Sequence, residues 1–286
     1  MIAIGKIGQK LIFNRQSPEG TRSNTNGNVG AFTLFNLLIK NNEKETFCVV
    51  GDSDKYFNDY ENLIDYDGSQ ICEFGIFFIG INDDEKLINY INSTKLRYIL
   101  ICDDERCLDA LNANTRLTHL PEHIISQSTR EYTFHGKSYM LEYVPIERSV
   151  VFNEQIQRSR KTRNMTVIAN CSEIYDRLDI ARQLTSRTEY ITIYGRLDKN
   201  KTYPKRFVGE VKYQEAQKIL KESWSTLIIP VKKKVITSKY VEALLNNCLP
   251  IFYKDYYYEL LDDVMRYKSL LVVENSNDVL RVYRWI

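Results

Sequence analysis

The sequence predicts an α/β protein built as two doubly wound domains in series, and three observations lead there. Short apolar runs alternate with stretches of helical periodicity along nearly the whole chain, the pattern of α/β units on parallel sheets. The runs are close to continuously hydrophobic, as strands covered on both faces are. The 286 residues, 43% hydrophobic and 27% charged, suffice for two domains of about 100–150 residues each.

In the first half the expected strands are "MIAIG" (Met1 to Gly5), "TFCVVG" (Thr46 to Gly51), "FGIFFIGI" (Phe74 to Ile81) and "LRYILIC" (Leu96 to Cys102). Between them helices are expected at Val29 to Lys40, entered through the Asn/Gly-rich "SNTNGNVG", and at Asp84 to Asn92, whose acidic first turn suits the helix dipole. Shorter runs follow at Ile124 to Gln127 and Tyr139 to Pro145. The second half repeats the rhythm with strands at Met165 to Asn170, Tyr190 to Gly195, Ser225 to Pro230, Leu249 to Tyr253 and Leu270 to Val273. Helices fit between them at Asp176 to Leu184, Tyr213 to Glu222, Thr237 to Asn246 and Tyr256 to Met265. The polar stretch "NEQIQRSRKTRN" (Asn153 to Asn164) has no apolar periodicity and reads as a solvated joint between domains spanning 1–152 and 165–286.

Composition narrows the classes of function. No apolar stretch approaches the roughly 18–20 residues of a membrane helix, and "MIAIGKIGQK" lacks the layout of a signal peptide, so a soluble, cytoplasmic protein is expected. The six cysteines form no CxxC pair, and none of the three histidines stands at zinc-ligand spacing with a cysteine. Neither GxGxxG nor the Walker sequence occurs, so dinucleotide and P-loop chemistry lack their fingerprints. The net charge of +2 hides an asymmetry: residues 1–150 hold 15 Lys and Arg against 21 Asp and Glu, and residues 151–286 hold 24 against 16. A basic second half suits an anionic partner, unless the two halves are simply solvated surfaces of opposite tint.

One stretch carries a chemical question. In "ILICDDER" a buried-looking strand stops at Asp103, Asp104 and Glu105. Carboxylates at a strand's carboxyl end either make an acidic turn or take a proton from a bound substrate.

At "LEYVPIE" (Leu141 to Glu147), preceded by "HIISQ" (His123 to Gln127), the sequence resembles the DNA β-glucosyltransferase family of the T-even bacteriophages. Collinear matches extend the resemblance thinly along the chain: "IANCS", "IYG" at Ile193 to Gly195, "FVGEV" at Phe207 to Val211, "LIIP" at Leu227 to Pro230 and "KYVEALLNNCLPIF" from Lys239. The resemblance implies a GT-B fold, two Rossmann-like domains with parallel sheets facing across a central cleft. It implies an inverting, monomeric enzyme of the infected bacterial cytoplasm. Such an enzyme moves glucose from UDP-glucose to the hydroxymethyl group of a modified pyrimidine in duplex DNA, 5-hydroxymethylcytosine in the first place. The first domain would bind DNA and the second the nucleotide sugar.

By the same comparison Asp103 matches the general base, with Asp104 as the alternative, and Glu147 stands at an acidic position near the sugar. Ser172 and Arg177 fall in the phosphate-side turn, Tyr194, Gly195 and Val211 alongside the uracil, and Lys239 and Glu242 at the diphosphate and ribose. Independent physics agrees at two of these places. Lys239 and Glu242 share one helix face, where a cation can neutralise diphosphate and a carboxylate can accept ribose hydroxyls; a surface ion pair is the ordinary alternative. Arg177 opens a helix, where backbone N–H groups favour phosphate, or is an ordinary surface charge. Departures from the family are arginine replaced by Lys239, glycines replaced by Asn170 and Cys171, a shorter stretch before "IISQ", and an end at "VYRWI" without the family's long C-terminal helix. A divalent cation, Mg2+ or Mn2+, can assist departure of UDP, yet no DxD stands where it would be assigned; "GDSD" (Gly51 to Asp54) follows a first-half strand and reads as a turn. Two other functions compete: a GT-B transferase for a cell-surface glycan or small acceptor, and a non-catalytic homologue that binds UDP or DNA.

Overall fold

The apolar runs pair in parallel, as their double-sided hydrophobicity requires, in a computed structural model of the chain. It describes residues 1–7, 35, 38–51, 60–79, 85–102, 105–143, 160–169, 177–187, 191–195, 206–230, 233, 235–257 and 271–286. The chain divides into two compact units, Met1–Val150 and Val151–Ile286.

The first unit contains β1 (Ile2–Ile7), β2 (Phe47–Val49), β3 (Leu63–Asp65), β4 (Phe74–Ile79), α1 (Glu85–Thr94), β5 (Arg97–Ile101), α2 (Glu105–Asn112), β6 (His123–Ser126), β7 (Glu131–Phe134), β8 (Lys137–Met140) and β9 (Glu142–Tyr143). Seven of these strands form a parallel sheet in the order β3-β2-β1-β4-β5-β6-β9, with its strand order reversing between β1 and β4. Side chains alternate across it. Phe77, Ile79, Tyr98 and Leu100 pack with Leu87, Ile91, Leu108 and Leu111 of α1 and α2. Phe78 and Ile101 pack on the other face with Ile4, Phe47, Val49 and the helical Phe35 and Ile39. Gly5 allows β1 to run beside its neighbours: a Cβ there would lie 2.7 Å from the Val50 carbonyl oxygen and 3.0 Å from Leu87 Cδ2.

Three parts of this unit depart from the sequence expectation. Strand β3 has only two apolar residues, too few to stand out as a run. Helix α2 follows the acidic stretch directly and buries Cys107, Leu108 and Leu111. The run Tyr139 to Pro145 is not one segment: Tyr139 and Met140 finish β8, and Glu142 and Tyr143 form β9. β7 and β8 make an antiparallel hairpin through His135 (φ 45°) and Gly136 (φ 80°), the left-handed two-residue turn that right-twisted strands prefer.

The second unit contains β10 (Arg163–Ile168), α3 (Arg177–Leu184), β11 (Ile191–Tyr194), β12 (Phe207–Gly209), α4 (Tyr213–Glu222), β13 (Ser223–Ile228), α5 (Ser238–Leu245), β14 (Leu249–Tyr253), β15 (Val272–Val273) and α6 (Ser276–Trp285). Its sheet is parallel, ordered β12-β11-β10-β13-β14-β15, the doubly wound order of a Rossmann domain. Met165, Val167, Ile191, Ile193, Leu227 and Ile251 form the core on one face with Ala181 and Leu184 of α3 and Val279 and Val282 of α6. The expected linker loses its last residues to the fold, because β10 begins at Arg163. Helix α6 has no counterpart among the expected elements. Asn275 caps it by accepting from the N–H groups of Asn277 (2.9 Å) and Asp278 (3.3 Å), while Asp278 accepts from the Glu274 N–H (3.0 Å). The expected helix at Tyr256 to Met265 lies almost wholly outside the described residues. No described helix is long and apolar enough to cross a membrane.

Candidate active site

All strands of the second sheet run the same way, so the carboxyl ends of β10, β11, β12 and β13 lie on one edge, where doubly wound sheets hold ligands. The donor residues expected from sequence that are described lie along that edge or on the helices leaving it. Arg177 is the first residue of α3 and is half-buried. Tyr194 ends β11, but its phenol is buried and its oxygen accepts a 2.7 Å hydrogen bond from Arg163 Nη1. The Tyr194 carbonyl accepts from the Ala169 N–H at 3.0 Å, and the Gly195 N–H donates to the Gly209 carbonyl at 2.9 Å. Gly209 has φ 111°, a conformation that lets β12 turn sharply toward Val211. Val211 follows this turn, between the edge strand β12 and α4.

Lys239 and Glu242 make the ion pair that their spacing allows, at 2.5 Å, but it is not a surface pair. The Glu242 carboxylate is 2% exposed and also accepts from Gln217 Nε2 of α4 at 3.0 Å. Asn246 Nδ2 donates to Gln217 Oε1 and to the Glu242 carbonyl, each at 2.7 Å. Both described bonds to the Glu242 side chain fall on Oε2. A buried carboxylate costs several kcal/mol unless it is paired and hydrogen-bonded, and this network supplies both. Gln217 and Asn246 give no sequence signal, since each is one polar residue in an amphipathic helix.

Asp103, Asp104, Glu147 and Ser172 lie outside the described residues, as does Asp52 to Asp54. Glu105, which follows Asp104 in the sequence, opens α2 with its carboxylate 2% exposed, accepting from Ser126 Oγ at 3.2 Å, from Ser128 Oγ, and from Arg130 Nη2 at 2.7 Å. By sequence Glu105 groups with a solvated acidic turn. Its position at the start of an amphipathic helix, shortly after the apolar run Ile99 to Cys102, is the signal that separates it from that turn.

Two basic residues of the expected linker, Lys161 and Arg163, are less displayed than their letters suggest, whereas Arg160 is exposed. Lys161 Nζ donates to the Asn246 carbonyl at 3.2 Å, and burial lowers its pKa. Arg163 pairs with Glu222 at 3.1 Å as well as with Tyr194. Of the tyrosines in "YKDYYYELL", Tyr253 and Tyr256 contact each other at 6.0 Å and Tyr257 packs on Phe252 at 5.8 Å, which is packing. Cys48, Cys72, Cys102, Cys107 and Cys248 are free thiols, and among the described residues no three His, Cys, Asp or Glu side chains gather as a metal site.

No protein-family model and no curated protein sequence matches the chain. Solved structures do. A DNA-modifying β-glucosyltransferase, studied with and without its substrate uridine diphosphoglucose, superposes with a TM-score of 0.63 at 15% identity, covering 99% of this chain and 88% of that one. The fold is GT-B. The T4 phage enzyme BGT in complex with UDP and Mn2+ gives 0.60 at 12% identity, with the same 99% and 88% coverage. An α-glucosyltransferase in complex with UDP and a 13-mer DNA containing a central A:G mismatch gives 0.57 at 11% identity, again over 99% and 88%. GT-B likeness at this identity is one of backbone, so residue roles have to be argued from the side chains of this chain.

Proposed function

We propose that this chain is a nucleotide-sugar glycosyltransferase that moves glucose from UDP-glucose to the hydroxymethyl group of a modified pyrimidine in duplex DNA, with 5-hydroxymethylcytosine the favoured base and inversion at the anomeric carbon. The observation that carries the reading is backbone similarity to DNA-modifying glucosyltransferases along 99% of the chain, together with a buried, cation-paired carboxylate where a donor would bind. Glu242 accepts ribose hydroxyls. Lys239 and Arg177 neutralise the diphosphate, the Val211 backbone meets the uracil with Gly195 and the Tyr194 main chain alongside, and Ser172 serves the phosphate turn. Lys239 offers a point charge in place of an arginine fork, so Arg177 shares the load.

On the acceptor side Asp103, or Asp104 beside it, takes the proton from the hydroxymethyl oxygen. That oxygen forms a bond to the sugar C1 while the C1–O bond to the β-phosphate breaks, and Glu147 holds sugar hydroxyls. The leaving diphosphate gains charge as the bond breaks, and the two cations offset it. A divalent cation, Mg2+ or Mn2+, would supply further neutralisation of that charge. The protein acts as a monomer in the cytoplasm of an infected bacterial cell.

The roles separate in two variants. Asp103→Ala is expected to abolish transfer while UDP affinity stays within a few-fold of wild type. Glu242→Ala is expected to weaken UDP by roughly 10- to 100-fold, the loss of about 1.5–3 kcal/mol expected for a hydrogen bond to a charged group. Calorimetric titration with UDP beside a transfer assay checks both; equal loss of UDP affinity in the two variants contradicts the assignment.

A further inference from the structure

Two Arg–Glu pairs lie at opposite ends of β5 and β6, and they are built differently. Arg97 and Glu122 meet at 2.6 Å where the strands begin, with side chains 75% and 36% exposed. Such a pair contributes little. Arg130 and Glu105 meet at 2.7 Å where the strands end, with side chains 41% and 2% exposed. Here the carboxylate is inside, fastened by Ser126 and Ser128 as well, and the guanidinium stands half outside, lying over the Tyr132 ring at 5.4 Å. Tyr132 is fixed in turn by donating to Asp109 Oδ1 at 3.0 Å.

The pair therefore presents a cation outward and hides its counter-charge. Among the described residues, Arg130 hydrogen-bonds through its side chain to Glu105 alone, at one nitrogen, so the rest of the fork is available. It stands at the carboxyl edge of the parallel sheet, paired to the first residue of α2. The first half of the chain has 15 basic against 21 acidic residues, so a polyanion approaching this unit needs a locally fixed cation.

We propose that Arg130, oriented by buried Glu105 and backed by Tyr132, is a preorganised contact to a backbone phosphate of the acceptor DNA. This rests on the DNA-glycosyltransferase reading for the identity of the anion. An arginine held in place before binding loses less conformational freedom on meeting phosphate than a solvated lysine does. The contact positions the duplex and leaves the chemistry to other groups.

The test is anisotropy of a labelled duplex containing one 5-hydroxymethylcytosine, from about 50 to 200 mM KCl, the range over which phosphate contacts are read from salt dependence. Removing Arg130 alone would strand a buried carboxylate, so the principal variant is Glu105→Gln with Arg130→Gln, which keeps hydrogen-bonding capacity and net charge. Arg97→Gln with Glu122→Gln is its matched control. The Arg130 variant is expected to bind roughly fivefold or more weakly at the low-salt end and to lose about 0.9 from the slope of log affinity against log salt, one phosphate's worth. The control is expected to match wild type. Equal affinity and slope in the Arg130 variant, an equal loss in the control, or no DNA binding by wild type overturns the proposal. Transfer from UDP-glucose, measured on the same samples, keeps the two questions apart. Transfer with an unaltered salt slope removes only the Arg130 contact, whereas an Arg130-dependent slope without transfer removes only the glycosyltransferase reading.

Discussion

At the scale of single residues, the sequence makes chemistry legible where a polar type stands at a spacing that geometry forces. Lys239 and Glu242 can be assigned to one helix face from their separation, and their side chains meet. Burial is not legible: the same letters serve a surface pair, and it is Gln217 and Asn246, remote in sequence, that turn Glu242 into an interior carboxylate. Glu105 is hidden for the same reason, since its partners come from β6 and the segment after it. Burial also sets a pH response. It pushes the Cys248 thiol up to about 12 from an ordinary 9.0, and moves the Cys48 thiol, which lies beside Cys72, in the same direction. Above about pH 9 the unfolded chain releases protons that the folded chain keeps, so this contribution to stability is full below about 9 and is lost as pH rises toward 12. Urea unfolding is expected to show a lower midpoint at about pH 10 than at about pH 7.5, with a smaller fall in Cys248→Ala. A midpoint equal at both pH values, or a fall unchanged in the variant, contradicts it.

At the scale of elements, the long apolar runs are legible because they are covered on both faces and need no partner to be recognised. β14 begins and ends where the sequence places it, and α4 does too. Short strands are not. β3 and β12 are three residues each and owe their existence to the neighbour that supplies the ladder, β2 for one and β11 for the other. α6 is easily passed over in a periodicity reading because its opening residues are polar and its stripe of Val279, Val282, Tyr283 and Ile286 is short and runs to the chain's last residue. Elements approach closely at Gly5, where β1 passes Val50 and Leu87. Gly5→Ala is expected to destabilise the protein by about 1–3 kcal/mol, the usual cost of overpacking, read as a lower urea midpoint with unchanged slope. A midpoint equal to wild type would mean that β1 has slack the packing does not show.

At the scale of the whole molecule, two parallel sheets, each with its strand carboxyl ends on one side, give each unit one ligand edge, and periodicity alone anticipates that much. Periodicity does not supply the division of labour, which depends on where charges are fixed. The second unit buries a carboxylate beside a lysine, suited to a nucleoside diphosphate, and the first buries a carboxylate beneath an outward arginine, suited to a polyanion. Both arrangements suit the proposed transfer of a sugar from a nucleotide donor to DNA, with the nucleoside diphosphate leaving. The most direct test is transfer of label from radioactive UDP-glucose to duplex DNA containing 5-hydroxymethylcytosine, with unmodified duplex alongside and nuclease digestion to find the labelled nucleotide. Label confined to the modified base is the predicted result; no label in the modified duplex, while the same protein binds UDP and releases it from UDP-glucose into water, would contradict the DNA acceptor.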